Sequence, residues 1–181
     1  MILEYFCTRN DVIKPTRANP SDAGLDVHFN PDEEDLRGIY IEPGESRLFS
    51  TGLKFGIPHG YMLEVKNRSG NASKLNLLVG ACVIDSGYNG EVFVNLHNVG
   101  GQSRFVERGM KIAQIVMVPV VHFRALETGK DNLYDWHPIT ISDRGTGALG
   151  STDKTNRINS VTTKEIDPFS LPSSWEFGDQ T

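Results

Sequence analysis

The stretch Gly80-Ala81-Cys82-Val83-Ile84-Asp85-Ser86-Gly87-Tyr88-Asn89-Gly90-Glu91-Val92-Phe93-Val94-Asn95-Leu96 decides the fold. Cys82, Val83 and Ile84 are apolar, a single carboxylate follows at Asp85, and Gly87 and Gly90 mark a turn. Val92, Val94 and Leu96 then alternate with residues facing the other way, Glu91 and Asn95 among them, as in a half-buried strand. The stretch therefore predicts strand, tight turn, strand: a hairpin with Asp85 at its mouth and Tyr88 close by. On its own, such a pattern also describes a solvated acid beside a packing tyrosine.

The same spacing continues on both sides. Turn signals recur roughly every ten residues, at Pro43-Gly44, Thr51-Gly52, Pro58-His59-Gly60, Gly100-Gly101 and Gly109, as in an all-β sandwich or barrel. Strands are predicted around Ile2–Cys7, Leu25–Phe29, Ile39–Ile41, Arg47–Ile57, Tyr61–Val65 and from Ile112 onward. Residues 71–75 could form one helical turn, the only helix expected. From Asp153 to Thr181 the chain is rich in Ser, Thr and Asn, and reads as a tail, either disordered or docked through Trp175 and Phe177.

Composition narrows the function. A length of 181 residues gives one domain with a real core. The net charge of −5 argues against a general nucleic-acid binder but allows a small anionic substrate held by local arginines. Two cysteines, Cys7 and Cys82, form no disulfide framework and no metal spacing, as for reduced thiols in a cytosolic-type compartment. The five histidines are scattered, so no zinc site is expected. No apolar run reaches membrane-spanning length, and the first residues are too short and acidic for a signal peptide.

Three further stretches carry chemistry. Asp26 lies in Leu25-Asp26-Val27 with its side chain opposite the apolar face. Arg68-Ser69-Gly70 joins a guanidinium suited to phosphate oxygens with a hydroxyl and a residue that admits close backbone approach. It reads equally as a surface turn. Arg144-Gly145-Thr146-Gly147-Ala148-Leu149-Gly150-Ser151-Thr152 is a natural anion cradle or a flexible linker, but no Walker loop. Gln114, polar within an apolar run, is either a satisfied amide or a ligand contact.

Together these stretches resemble the trimeric deoxyuridine triphosphatase (dUTPase) family, whose five motifs occur in fixed order. Ala23-Gly24-Leu25-Asp26-Val27, Arg68-Ser69-Gly70, Val83 to Val92, Gly109-Met110-Lys111-Ile112-Ala113-Gln114 and Arg144 to Thr152 are similar to motifs one to five. The resemblance covers residues 1–152, a β domain that includes the Gly-rich arm 144–152, and leaves 153–181 outside. It departs from the family at Leu149, where a Phe usually stacks on uracil, and at Ala148 and Cys82, which replace glycines. Asn71 stands for a usual Leu, and Met110-Lys111 for Asp-Arg.

The resemblance implies a distorted, jelly-roll-like β-barrel with at most one short helix, assembled as a homotrimer with shared active sites. It implies hydrolysis of dUTP to dUMP and pyrophosphate by water attack on the α-phosphorus, which limits uracil in DNA and supplies dUMP for dTMP synthesis. Asp85 would be the base. Arg68, Ser69, Gly70, Gln114 and Arg144 would hold the phosphates, with Gly150 and Ser151 also touching substrate. Cys82, Val83, Ile84 and Phe93 would meet the uracil, Leu149 would cover it, and Tyr88 would pack under the deoxyribose and reject UTP. Mg²⁺ would ride on the triphosphate, with Asp26 reaching it through water. The location implied is the cytoplasm, or the host cytoplasm for a viral protein, with neither nucleic acid nor membrane as partner. Two rival readings share the scaffold: a dCTP deaminase relative, and a nucleotide-sensing regulatory protein.

Overall fold

The computed structural model describes residues 1–33, 36–129, 131 and 133. The chain divides into two units, Met1–Ala125 and Leu126–Thr181, and every element below lies in the first. The predicted elements of Arg144, Leu149, Gly150, Ser151 and the tail lie outside the described residues.

Strands dominate. β1 (Glu4–Cys7) pairs antiparallel with β5 (Leu53–Gly56), and β3 (Gly38–Ile41) with β10 (Arg104–Glu107). A four-stranded sheet runs β2 (Leu25–His28), β11 (Lys111–Pro119), β6 (Tyr61–Lys66), β8 (Val83–Ile84). A three-stranded sheet runs β4 (Ser46–Ser50), β9 (Phe93–Asn98), β7 (Leu77–Val79). The single helix described, α1 (Ser69–Leu75), is seven residues long. The all-β expectation with one short helix holds, but the sheets stay separate, and no barrel closes among the described residues.

Alternation on each strand supplies the core. Val92, Val94 and Leu96 are buried, as are Leu63 and Val65 on β6 and Ile112 and Ile115 on β11. Phe29 and Phe49 meet edge-to-face with ring centroids 4.9 Å apart. Each such side chain contributes about 1.5–3 kcal/mol on burial.

The predicted hairpin is corrected. β8 pairs with β6, whereas β9 pairs with β4 and β7, so the residues between Ile84 and Phe93 cross from one sheet to another. The reason lies in Glu91 and Val92. The Glu91 carboxylate accepts from Ser50 Oγ (2.5 Å) and from the Gly52 N–H (2.7 Å). The Val92 N–H donates to the Leu53 carbonyl at 2.9 Å. These bonds draw the chain onto the β4–β5 corner before β9 begins, where a hairpin would have turned it back along β8.

Candidate active site

The crossover opens with Ile84 buried and Asp85 exposed. The Tyr88 N–H closes the turn on the Asp85 carbonyl at 3.2 Å, and Gly87 takes the left-handed φ of +90° that this turn needs. The Ser86 hydroxyl donates to the Ile57 carbonyl at 3.3 Å and fixes the turn to the chain before β6. Tyr88 folds back over Gly90 and donates from Oη to the Glu91 carbonyl at 2.9 Å. With Tyr88 in this pose residue 90 has no room for a Cβ, which would crowd the phenol end of the ring.

A cleft of about 250 Å³ results, lined by Val83, Ile84, Asp85, Tyr88, Glu91, Val92 and Phe93. Val83, Tyr88 and Phe93 present half-exposed apolar surface to it. Among the described residues the Asp85 carboxylate accepts no hydrogen bond, so its oxygens face the cleft and solvent. Asp85, Val83, Ile84, Tyr88 and Phe93 are thus brought together. Cys82 is not among the lining residues: its carbonyl accepts from the Val65 N–H at 2.7 Å and is spent on the sheet.

A second cluster lies around Asp26. β2 and β11 pair with Gln114 opposite Asp26. The Arg68 Nε–H donates to Asp26 Oδ1 at 2.8 Å, and Lys111 Nζ donates to Oδ2 at 2.8 Å. Burial alone would raise the Asp26 pKa, but the hydrogen bonds from Lys111 and Arg68, with their charges, prevail and hold it below the ordinary carboxylate value. Arg68 keeps its terminal guanidinium nitrogens for a ligand and is the residue from which α1 starts, followed by Ser69 and Gly70. Gln114 donates from Nε2 to the Asn67 carbonyl at 2.9 Å, and its Oε1 lies against Gly24. One amide donor is thus held on the backbone next to Arg68.

His28, opposite Lys111 across the same strand pair, is buried, and its Nδ1 has no partner among the described residues. Burial first, then the Lys111 and Arg68 charges, push its pKa below the ordinary value against the pull of Asp26. Sequence reasoning assigned no role to His28, Lys111 or Glu91. Lys111 lies 85 residues from Asp26, and no local pattern announces their contact. No hydrogen bond or ion pair among the described residues joins the Asp85 cleft to the Asp26 cluster.

An all-β scaffold with a bare carboxylate in an aromatic-walled cleft and an arginine held ready by an acid defines a class of protein suited to nucleotide phosphates. The chain belongs to the dUTPase family, whose family model matches residues 10–152. A deoxyuridine 5'-triphosphate nucleotidohydrolase of Chlamydia trachomatis is 36% identical over 153 residues, 83% of this chain and 98% of the relative. One of Clostridium acetobutylicum is 39% identical over 142 residues, 77% of this chain and 88% of the relative. In fold, the chain is similar to a mutant Staphylococcus bacteriophage 80alpha dUTPase solved with dUpNHpp. The TM-score is 0.69 at 24% identity, covering 83% of this chain and 98% of that one. It is also similar to the dUTPase of phage phi11 of S. aureus, described with a structural Mg(II) ion, at TM-score 0.63 and 22% identity, covering 72% and 98%.

Proposed function

We propose that this chain hydrolyses dUTP to dUMP and pyrophosphate, with Asp85 as the base. The observation that carries the reading is the exposed Asp85 carboxylate beside Tyr88 and Phe93 in a chain of this family. A carboxylate is a weak base at neutral pH, so its main contribution is to orient the attacking water and accept its proton as the α-phosphorus is attacked. Tyr88, pinned by Glu91 and Gly90, gives the sugar a flat wall that a ribose 2'-OH would strike. Val83, Ile84 and Phe93 meet the base, and the free backbone of this edge reads the uracil.

Arg68, aimed by Asp26, holds phosphate oxygens and the charge that develops on the leaving pyrophosphate, with Ser69, Gly70, Gln114 and Arg144 beside it. Leu149, Gly150 and Ser151 complete the enclosure from the arm. No group of three or more His, Cys, Asp or Glu able to hold a metal occurs among the described residues. Mg²⁺ would be carried by the triphosphate, where it would neutralise phosphate charge. Both Asp26 oxygens already accept from cations, so only their remaining lone pairs could reach the ion's water shell.

The Asp85 cleft and the Arg68 cluster both border the β2-β11-β6-β8 sheet, yet no side-chain hydrogen bond or ion pair among the described residues joins them. This favours a homotrimer in which one subunit supplies Asp85 and Tyr88, a second Arg68, and a third the arm 144–152. The catalytic domain spans 1–152, with 153–181 as a separate tail. No helix among the described residues is long and apolar enough to cross a membrane. The cytoplasm, the host's if the protein is viral, is the location that the family resemblance implies.

The test is pyrophosphate release from dUTP, dCTP, dTTP and UTP, with ammonia assayed in parallel. Selective release from dUTP is expected, and Asp85→Asn should lower turnover by about 10²-fold or more while retaining binding of a non-hydrolysable dUTP analogue. Ammonia from dCTP, or a variant keeping over about a tenth of turnover, would overturn the assignment.

A further inference from the structure

We infer that Asn71, which no part of the reaction above uses, is a positioning residue that sets the phosphate-binding Arg68 through the backbone of β11. The inference rests on the functional reading only for the identity of the ligand. Asn71 is buried in a seven-residue helix that also contains Gly70, so helix propensity explains neither residue. A buried amide is costly unless its hydrogens find acceptors. The Asn71 Nδ2 group finds two: the Lys111 carbonyl at 3.0 Å and the Ile112 carbonyl at 3.1 Å.

Consecutive carbonyls of a regular strand point to opposite edges. One amide reaches both only where the strand is distorted. β11 is distorted here: Lys111 pairs with His28 and Ala113 with the next residue, Val27, so the register slips between Lys111 and Ala113. Bulges of this kind re-aim a side chain. Lys111 is the residue re-aimed, and its Nζ meets Asp26 Oδ2 at 2.8 Å. Asp26 Oδ1 accepts from Arg68 Nε at 2.8 Å, and Arg68 leads directly into the helix that carries Asn71.

A closed circuit results: Asn71 holds the bulge, the bulge aims Lys111, Lys111 and Arg68 share Asp26, and the backbone from Arg68 to Asn71 completes it. Each link fixes one rotational freedom of the next. Asn71→Leu keeps the branched four-atom skeleton of the side chain and removes the amide donor. Two bulge carbonyls then lose their partner, and Lys111 loses the backbone that directs it. Arg68 keeps its charge but loses its fixed pose. Arg68 grips phosphate before and during reaction, so the loss falls mainly on KM.

The experiment has two arms on the full chain. In ligand-free protein, ¹⁵N NMR follows solvent exchange of the Arg68 Nε–H. Slow exchange is expected for the wild type, and exchange at least about tenfold faster for Asn71→Leu, the ratio that marks loss of an interaction of about 1.4 kcal/mol. Lys111→Met removes the same restraint from the other side and should match it. Val94→Ala, a cavity in the core at a side chain outside the hydrogen-bonded circuit, lowers Tm but should leave this signal alone. In the second arm, KM for dUTP should rise about fivefold in Asn71→Leu with kcat changed by less than about twofold, and the effects of Asn71→Leu and Lys111→Met should be strongly non-additive. Unchanged Arg68 exchange in both variants, or strictly additive kinetics, overturns the inference and leaves Asn71 a packing residue. If the wild type fails to hydrolyse dUTP, the functional reading falls, while the exchange arm still decides the circuit.

Discussion

Gly90→Ala adds one methyl group and isolates what Tyr88 does. The new Cβ would stand 2.9 Å from Tyr88 Cε2 and closer still to the phenol end of the ring. Carbon contacts settle near 3.5–4.0 Å, so the ring must retreat by about 1 Å. Gly90 does not occupy the left-handed region, so backbone strain plays no part. Tyr88 is half-exposed and has solvent to move into. The structural loss is the bond from Tyr88 Oη to Glu91, worth about 1 kcal/mol, or a fall in Tm of about 2–4 °C for a chain of this size. The functional loss is larger, because a 1 Å misplacement at a reacting site can cost about 10²-fold. The kcat/KM for dUTP should fall about tenfold or more, and that for UTP by much less, so that discrimination between the sugars narrows. Steady-state pyrophosphate release on both nucleotides, with Tm alongside, makes the measurement. An unchanged dUTP-to-UTP ratio in a well-folded variant would refute Tyr88 as the sugar wall.

Acid stability should report Asp26. Its folded pKa lies below the ordinary 3.8, so its contribution is complete above that value and is lost as pH falls through the lower folded pKa. Denaturation curves of wild type and Asp26→Asn should therefore differ at neutral pH and converge below pH 3.8. His28 works over a higher range: its folded pKa is depressed from 6.5, so the unfolded chain protonates first and stability drops as pH falls below 6.5. His28→Leu should flatten the Tm profile between neutral pH and the folded His28 pKa. Leu149→Phe, in the arm outside the described residues, should lower KM for dUTP by roughly three- to tenfold through aromatic stacking on the base. An unchanged or higher KM would withdraw residue 149 from the base contact.

Period-two burial made the strands legible: Val92, Val94 and Leu96 alternate in sequence and lie in the core as expected. Asp85 and Tyr88 were legible together because a single short turn places both, and Phe93 because it opens the alternating run of β9. Pairing partners were not. Nothing within residues 80–96 tells β9 to leave β8, because the instruction comes from bonds to Ser50, Gly52 and Leu53. β7 escaped notice because three residues, Leu77–Val79, are too few to show a period. Gln114 shows in sequence only as a polar residue in an apolar run; its bond to Asn67 is tertiary and has no local signal. Lys111 and Asn71 belonged to a quoted motif and a predicted helical turn, yet their tasks are tertiary: both act on residues about forty or more positions away.

The passage of the chain from β8 to β9 has a consequence for how the protein comes to life. A hairpin could form early, from local sequence alone, and carry Asp85 with it. Here Asp85 stands on a stretch that leaves the sheet built on β6 and enters the sheet built on β4. Its position is undefined until both sheets exist and have closed on each other, and contacts between distant segments are the slow ones to form. A nascent or partly unfolded chain can have native strands and still lack the Asp85 carboxylate in register. Recovery of activity in refolding should thus trail the return of β-structure, and a half-folded chain has no means of attacking nucleotides at random.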